Sequence, residues 1–470
     1  MVKVITYGTY DLLHYGHINL LKRAKALGDY LIVGVTADGF DRERGKINVS
    51  QSRMERIENV RATGIADKII VEEYEGQKID DIERYGVDIF TVGSDWKGVF
   101  DYLEEYCKVV YLDRTEGISS TQLRSEKQLM NFGAIGDAPY ICKFIKGSRL
   151  VDGMNFVGVC AAKANSFPKC EREFVVKKPV SQFLESVDAV YIASPVDKHF
   201  EHASLALANK KHVLMESPLA LTRKECRKLF EDADKNGCVL FESIKTAYSM
   251  AYNRLLLLVK AGKIGKVVSV ETTCTSLISD DKSDLSAAEL KSIYDWGPTA
   301  LLPVFQILGT DYVSKSIVAG YFDNEQKTDA FTNIRFVYKD AVANVKVGKG
   351  VKSEGEMIIS GTKGYIYVPA PWWKTEYFEI RYEDSNENKR FFYQLDNEGI
   401  NYELVSFYKD VETHTIVPHI SKEISLEIAG IMEDFDNGAD LTEIKIKDIK
   451  FKKPKIFPVG ARFCADGESI

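Results

Sequence analysis

Two histidines three positions apart, His14 and His17, close the run Gly8-Thr9-Tyr10-Asp11-Leu12-Leu13-His14-Tyr15-Gly16-His17. The chain has only 7 histidines, so a pair here is informative. Helical spacing begins at His17, with Ile18, Leu21 and Ala24 on one face. A helix start presents free amides and the positive end of its dipole, which favour phosphate. Gly16 lets the backbone approach a ligand closely. Two imidazoles there can donate hydrogen bonds to a phosphoryl group whose charge grows in a transition state. The plainer alternative is a pair of histidines that cap or pack a helix start.

The elements around this run must position it. Short apolar segments at Val2–Tyr7, Leu31–Val35, Ile69–Val71, Ile89–Val92 and Val109–Leu112 predict strands. Between them, His17–Leu27, Gln51–Ala62, Ile79–Tyr85 and Phe100–Tyr106 predict helices. Alternation of this kind implies a parallel α/β sheet of Rossmann-like type. Ligands then bind at the carboxyl ends of strands, near the point where strand order reverses. The histidine run follows the first strand, as that rule requires.

The run resembles the HxGH signature of the nucleotidyltransferase superfamily of α/β cytidylyltransferases. A second signature follows the last strand: Arg114-Thr115-Glu116-Gly117-Ile118-Ser119-Ser120-Thr121 is similar to that family's RTxGISTT loop. Such a loop can offer amides, hydroxyls and a guanidinium to a triphosphate. The resemblance covers residues 1–128 and is greatest to the glycerol-3-phosphate cytidylyltransferases, through Gly8–Ala26, Gly93–Asp101 and Arg114–Thr121. It implies cytidylyl transfer from CTP to glycerol 3-phosphate or a similar polyol phosphate, feeding teichoic acid or capsule synthesis. His14, His17, Lys46 and Arg114 are the implied catalytic residues. Thr9, Tyr10, Asp11, Gly16, Gly93, Asp95, Arg114, Thr115, Gly117, Ile118, Ser119, Ser120 and Thr121 are the implied nucleotide-binding set. Arg44, Lys46, Arg56, Arg61 and Trp96 are the implied acceptor-binding set; Arg61 stands near Gly64, which occupies the register of a family arginine. Arg44 stands where close relatives have lysine, which keeps the charge and changes its geometry. The family implies Mg²⁺ bridging the CTP phosphates, held mostly by substrate oxygens, with Asp11 placed to orient it or its water. No metal site built from protein ligands is expected.

The remaining length carries a second alternating pattern. Asn131–Pro139 sits where a strand meets a helix, and strands are predicted at Phe156–Ala161, Ala189–Ala193, His212–Met215 and Val239–Phe241. With Ser194-Pro195-Val196-Asp197-Lys198-His199 and Glu216-Ser217-Pro218, this half resembles the glucose–fructose oxidoreductase and inositol dehydrogenase family. Segments from Lys266–Leu277 to Arg390–Tyr393 predict an open, mainly antiparallel sheet in an α+β domain, and Ser425–Phe435 a final helix. The family's catalytic positions have changed. Of its GxGxxG fingerprint only Gly136 remains, with Ala138 and Ile141 in the other places. Its Glu-Lys-Pro lysine is Ser217, which has no charge to offer a carbonyl. Trp296–Pro303 places a proline where the family has aspartate. The expectation is a redox-inactive domain in which His199 and Glu216 are structural. An NAD(P)-dependent reductase acting on a keto precursor is the alternative.

At 470 residues, roughly two to four domains are expected, and the boundaries fall at 1–128, 129–245 and 246–470. A charged, helix-prone Thr121–Gln128 joins the halves, and the chain after about Gly460 is expected to fray. A net charge of −7 argues against a sequence-independent nucleic-acid binder. No apolar run reaches the roughly 18–20 residues that span a bilayer. With 8 scattered cysteines and no CxxC pair, the expectation is a reduced cytoplasmic protein. Both resemblances imply a homodimer or higher homo-oligomer.

Overall fold

The computed structural model describes residues 1–37, 49, 51, 53–73, 76–113, 129–138, 140–151, 153–161, 167, 169–277, 291–322, 328–393, 395–413 and 419–446. Lys46, Arg44, Arg114 and the rest of 114–128 lie outside these residues, as does the chain after 446.

The first sheet has the order β3-β2-β1-β4-β5, all parallel: β1 Lys3–Gly8, β2 Tyr30–Thr36, β3 Lys68–Glu72, β4 Ile89–Gly93 and β5 Lys108–Leu112. Its strands are apolar on both faces, so each face needs a cover. Val4, Leu31 and Val33 pack with Leu21 and Ala24 of α1 (Tyr15–Lys25) and with Ile57 and Val60 of α2 (Arg53–Ala62). Ile5, Ile32 and Phe90 pack on the other face with Ile82 of α3 (Gln77–Tyr85). Strand order reverses between β1 and β4, so the loops after these two strands are neighbours. The segment expected to be a helix at Phe100–Tyr106 is instead a short 3₁₀ turn, Asp101–Glu105. Only Leu103 of that turn is buried, too little apolar surface to hold a longer helix.

The second sheet, β11-β10-β9-β6-β7-β8, is also parallel. It is built from β6 Met130–Ile135, β7 Met154–Cys160, β8 Val175–Val176, β9 Ala189–Ile192, β10 His212–Glu216 and β11 Leu240–Ser243. A nine-stranded mixed sheet follows, from β12 (Val267–Thr275) to β20 (Leu441–Ile444). Most of its pairs are antiparallel; β12 pairs in parallel with β15 (Val342–Gly348), and β13 (Ser314–Tyr321) with β20. One hydrophobic core runs through both, from Phe132 and Tyr191 to Trp372, Phe407 and Phe435. The Trp296–Pro303 stretch lies inside one buried helix, Ser292–Leu308. Of the six cysteines whose side chains are described, five are buried, and all six are free. No helix among the described residues is long and apolar enough to cross a membrane.

Candidate active site

The loop after β1 is shaped before any ligand is considered. Tyr10 and Leu12 take left-handed backbone conformations, with φ of 52° and 48°. Such conformations cost about 1–3 kcal/mol each and persist only when surroundings fix them. Here Tyr10 is buried, the Leu12 amide donates to Gln51 Oε1 at 2.9 Å, and the Gln51 amide donates to Asp11 Oδ1 at 2.9 Å. His14 is the N-cap of α1, its Nδ1 accepting from the Gly16 amide at 3.1 Å. That contact places the His14 proton on Nε2. His17, one turn into the helix, stacks on His14 with ring centroids 3.9 Å apart. Tyr10 meets the His17 ring edge-on at 5.6 Å. Both readings of the histidine pair therefore coexist: His14 caps the helix, and the two imidazoles stand together at its start.

Arg56 is fully buried between the ends of β1 and β2. Its Nη1 donates to the carbonyls of Thr9 at 2.7 Å and Thr36 at 2.9 Å, and its Nε to that of Gln51 at 3.2 Å. It clamps the histidine loop to α2. Arg56→Met is expected to destabilise the first domain by roughly 3 kcal/mol, since charged donors to buried carbonyls are lost. An unchanged urea midpoint would contradict this. Arg61 is not brought to the loop: it is exposed on the last turn of α2 and pairs with Glu58.

Across the switch point, Gly93 ends β4 and the turn Ser94–Trp96 follows. A Cβ on Gly93 would meet nothing within 4 Å, so the space above the strand is open. Trp96 is half-buried and packs on Phe100 at 5.8 Å. It lines a small open pocket with Gly8, Thr9, Thr36 and Lys78. Lys78 was not singled out in the sequence. It is buried, ion-paired with buried Glu72, and its Nζ stands 4.8 Å from the Tyr7 ring centre. The available signal was its place on the first turn after β3, a strand end on the same side of the sheet.

In the second sheet, Gly136 has φ 133°, and a Cβ there would lie 2.2 Å from the Ala193 carbonyl oxygen. The residue is glycine because β9 passes against it, which accounts for it without a ligand. Ile141 is fully buried in the core, and the helix it opens, α4 (Ile141–Ser148), has no side-chain cap. The Ser217 hydroxyl donates to Glu242. These residues do not fit a dinucleotide's phosphate loop or a carbonyl-polarising site. His199 is buried, with ring nitrogens 2.8 Å from the Pro218 carbonyl and 2.9 Å from that of Ser194. It ties the strand end at Ser194 to the Pro218 turn.

Glu216, at the end of β10, accepts from the Tyr191 hydroxyl and from Ser243 at 3.4 Å. Burial pushes its carboxyl up to about 7 from an ordinary 4.5, against the Tyr191 hydrogen bond and the Lys245 charge. Burial likewise raises Glu242 and Glu403, and takes Asp329 to about 6. A carboxyl raised by folding stabilises while protonated, so this contribution is complete below the unfolded value and lost as pH rises through the folded one. The second half is expected to lose roughly 2–3 kcal/mol between about pH 5 and about pH 8 through Glu216 alone. Glu216→Gln should flatten that dependence in urea melts; a wild-type midpoint that climbs with pH would contradict the assignment.

Among the described residues, no group of three or more His, Cys, Asp or Glu side chains could hold a metal ion. The single buried carboxylate of Asp11, beside the helix start, suits a Mg²⁺ whose other ligands come from substrate oxygens.

Residues 5–126 match the cytidylyltransferase-like family, and residues 132–243 the oxidoreductase family with an NAD-binding Rossmann fold. The chain is 49% identical over 126 residues to the glycerol-3-phosphate cytidylyltransferase of Bacillus spizizenii, covering 27% of this chain and 97% of that one. It is 49% identical over 128 residues to that of Staphylococcus aureus, covering 27% and 95%. A 3-ketoreductase from Actinomadura kijaniata, solved with NADP and TDP-benzene, superposes with a TM-score of 0.60 at 18% identity, over 68% of this chain and 100% of that one. At that identity the likeness concerns the fold. The chain belongs to the cytidylyltransferase-like family through a first domain of the glycerol-3-phosphate cytidylyltransferase type, joined to a domain of the NAD-binding Rossmann oxidoreductase family.

Proposed function

We propose that the first domain transfers a cytidylyl group from CTP to glycerol 3-phosphate, releasing pyrophosphate and CDP-glycerol. The observation that carries this is the stacked His14–His17 pair at the start of α1, on the switch point of a parallel sheet. An acceptor phosphate oxygen attacks the α-phosphorus, and pyrophosphate leaves from the opposite side. The nucleophile is already an anion, so positioning and charge stabilisation are what the protein supplies. His14 donates from Nε2, since Nδ1 holds the Gly16 amide. His17 is assigned the oxygen that bridges to the leaving group. Lys46 and Arg114 are assigned the pyrophosphate. Bound Mg²⁺ would offset charge on the phosphates, with Asp11 orienting it or its water. Thr9, Tyr10, Asp11, Gly16, Gly93, Asp95 and 115, 117–121 form the proposed nucleotide site. The acceptor is assigned to the pocket of Trp96 and Lys78, with Arg44 and Lys46 assigned to it by the family resemblance and Arg56 holding the loop. Pyrophosphate release from CTP, measured over a panel of phosphorylated acceptors, tests this. Release with glycerol 3-phosphate is expected; no release with any polyol phosphate would refute it.

The second domain is read as redox-inactive. A domain that reduces a keto precursor with NAD(P)H is the competing reading, and its support is the fold of the NADP-bound 3-ketoreductase. Ser217, Ala138 and Ile141, which replace the family's lysine and two of its glycines, weigh against it. Oxidation of NAD(P)H by the full chain with dihydroxyacetone phosphate would establish the competing reading.

A further inference from the structure

Three lysines from separate elements converge on one carboxylate in the second half. Glu398 accepts from Lys143 of α4 at 2.8 Å, from Lys374 at 2.7 Å and from Lys245 at 3.3 Å. Lys245 follows the carboxyl end of β11, and Lys374 ends the short turn Trp372–Lys374. The three ammonium groups and one carboxylate leave two positive charges in surplus. Solvent reaches the cluster: side-chain exposures are 44%, 39% and 38% for the lysines and 27% for Glu398.

The segment presenting Glu398 is strained. Asn397, Glu398 and Gly399 are successively left-handed, with φ of 44°, 55° and 89°, and the first two are not glycine. Asn397 is tied down by its Nδ2, which donates to Asn401 Oδ1 at 2.9 Å. Such strain survives where surroundings impose it, and it marks functional turns.

A second observation lies beside the cluster. Glu403 is fully buried, and the Ser243 hydroxyl that faces both carboxyls can donate its one hydrogen to only one of Glu216 and Glu403. Lys245 is close enough to both carboxyls for its charge to oppose their rise. The cluster thus borders the carboxyl ends of β10 and β11, where a doubly wound sheet receives ligands, with an unsatisfied buried polar group alongside.

We propose that Lys143, Lys245 and Lys374 form a binding site for a phosphate monoester of a small polyol, and that Glu398 is an internal carboxylate occupying the phosphate position until the ligand displaces it. Several ammonium donors around one point suit a phosphate's oxygens, and its charge of nearly −2 offsets most of the three positive charges that Glu398 gives up. Glu216 and Glu403 would then meet the hydroxyls. The site does not depend on the cytidylyl-transfer reading, because the test compares variants altered only in the second half.

The test is phosphate binding by the full chain, followed by calorimetry and thermal melting, in wild type, Glu398→Gln and Glu398→Gln with Lys143→Met and Lys374→Met. Inorganic phosphate and glycerol 3-phosphate are the probes, with glycerol and CTP as controls. Glu398→Gln is expected to bind both phosphate probes about tenfold more tightly than wild type, and the added lysine replacements to abolish the gain. Equal affinity in wild type and Glu398→Gln, or a gain that survives loss of the lysines, overturns the proposal. A gain confined to CTP also overturns it. Should Glu398→Gln not fold, Lys143→Met/Lys374→Met in the wild-type background is expected to lose part of the phosphate-induced rise in Tm; an unchanged rise overturns it equally.

Discussion

His17→Ala and His14→Ala are each expected to lower kcat for cytidylyl transfer by roughly 10²–10⁴-fold while the chain stays folded. The expectation rests on where the rings are. They stack at 3.9 Å at a helix start, where amides, dipole and imidazole donors can meet a phosphate together. His14 does a second job, because its Nδ1 caps α1. His14→Ala therefore also loses a cap, about 0.5–2 kcal/mol. His14→Asn separates the two roles: asparagine caps well but lacks the imidazole donor. It should melt like wild type and remain slow in pyrophosphate release. A His14→Asn enzyme at near wild-type rate would reduce His14 to a cap.

Lys78→Met is expected to destabilise the first domain by about 3–5 kcal/mol, the cost of stranding a buried charge. Glu72 is wholly buried, and Lys78 is its buried ammonium partner. Glu72 also accepts from Thr36 Oγ1 at 3.0 Å, a contact too weak to replace a cation. Glu72→Gln combined with Lys78→Met removes both charges and should recover most of the loss. Because Lys78 lines the same pocket as Trp96, acceptor KM should stay high in the recovered double variant. Urea midpoints and acceptor titrations read the two effects apart. A double variant as unstable as Lys78→Met would mean that the pair is not what holds the site.

Both halves of the fold were legible because parallel sheets write themselves as apolar runs. Val2–Tyr7 against the observed Lys3–Gly8, and His212–Met215 against His212–Glu216, differ only at their ends. Elements governed by the tertiary setting were not legible. The helix Ser292–Leu308 carries Pro298 and Pro303, which local rules place at breaks, yet its buried face packs within the second core. Strand β13 opens on the polar Ser314-Lys315-Ser316, and its place is set by pairing with its neighbours β14 (Asp329–Val337) and β20. In the site, the histidine loop followed from type and spacing. Lys78 did not, since a lysine at the start of a charged helix looks solvated until Glu72 is seen beneath it. Arg56 read as a phosphate ligand, and its hydrogen bonds to three carbonyls could not be inferred from one dimension.

CDP-glycerol synthesis through His14 and His17 can be followed directly. Phosphorus NMR of the full chain with CTP, Mg²⁺ and glycerol 3-phosphate follows substrate, pyrophosphate and product in one tube. A growing CDP-glycerol diphosphate signal with equimolar pyrophosphate is expected, and its near-absence with His17→Ala at equal protein. No CDP-glycerol from the wild-type chain, or formation at the same rate by His17→Ala, would contradict it.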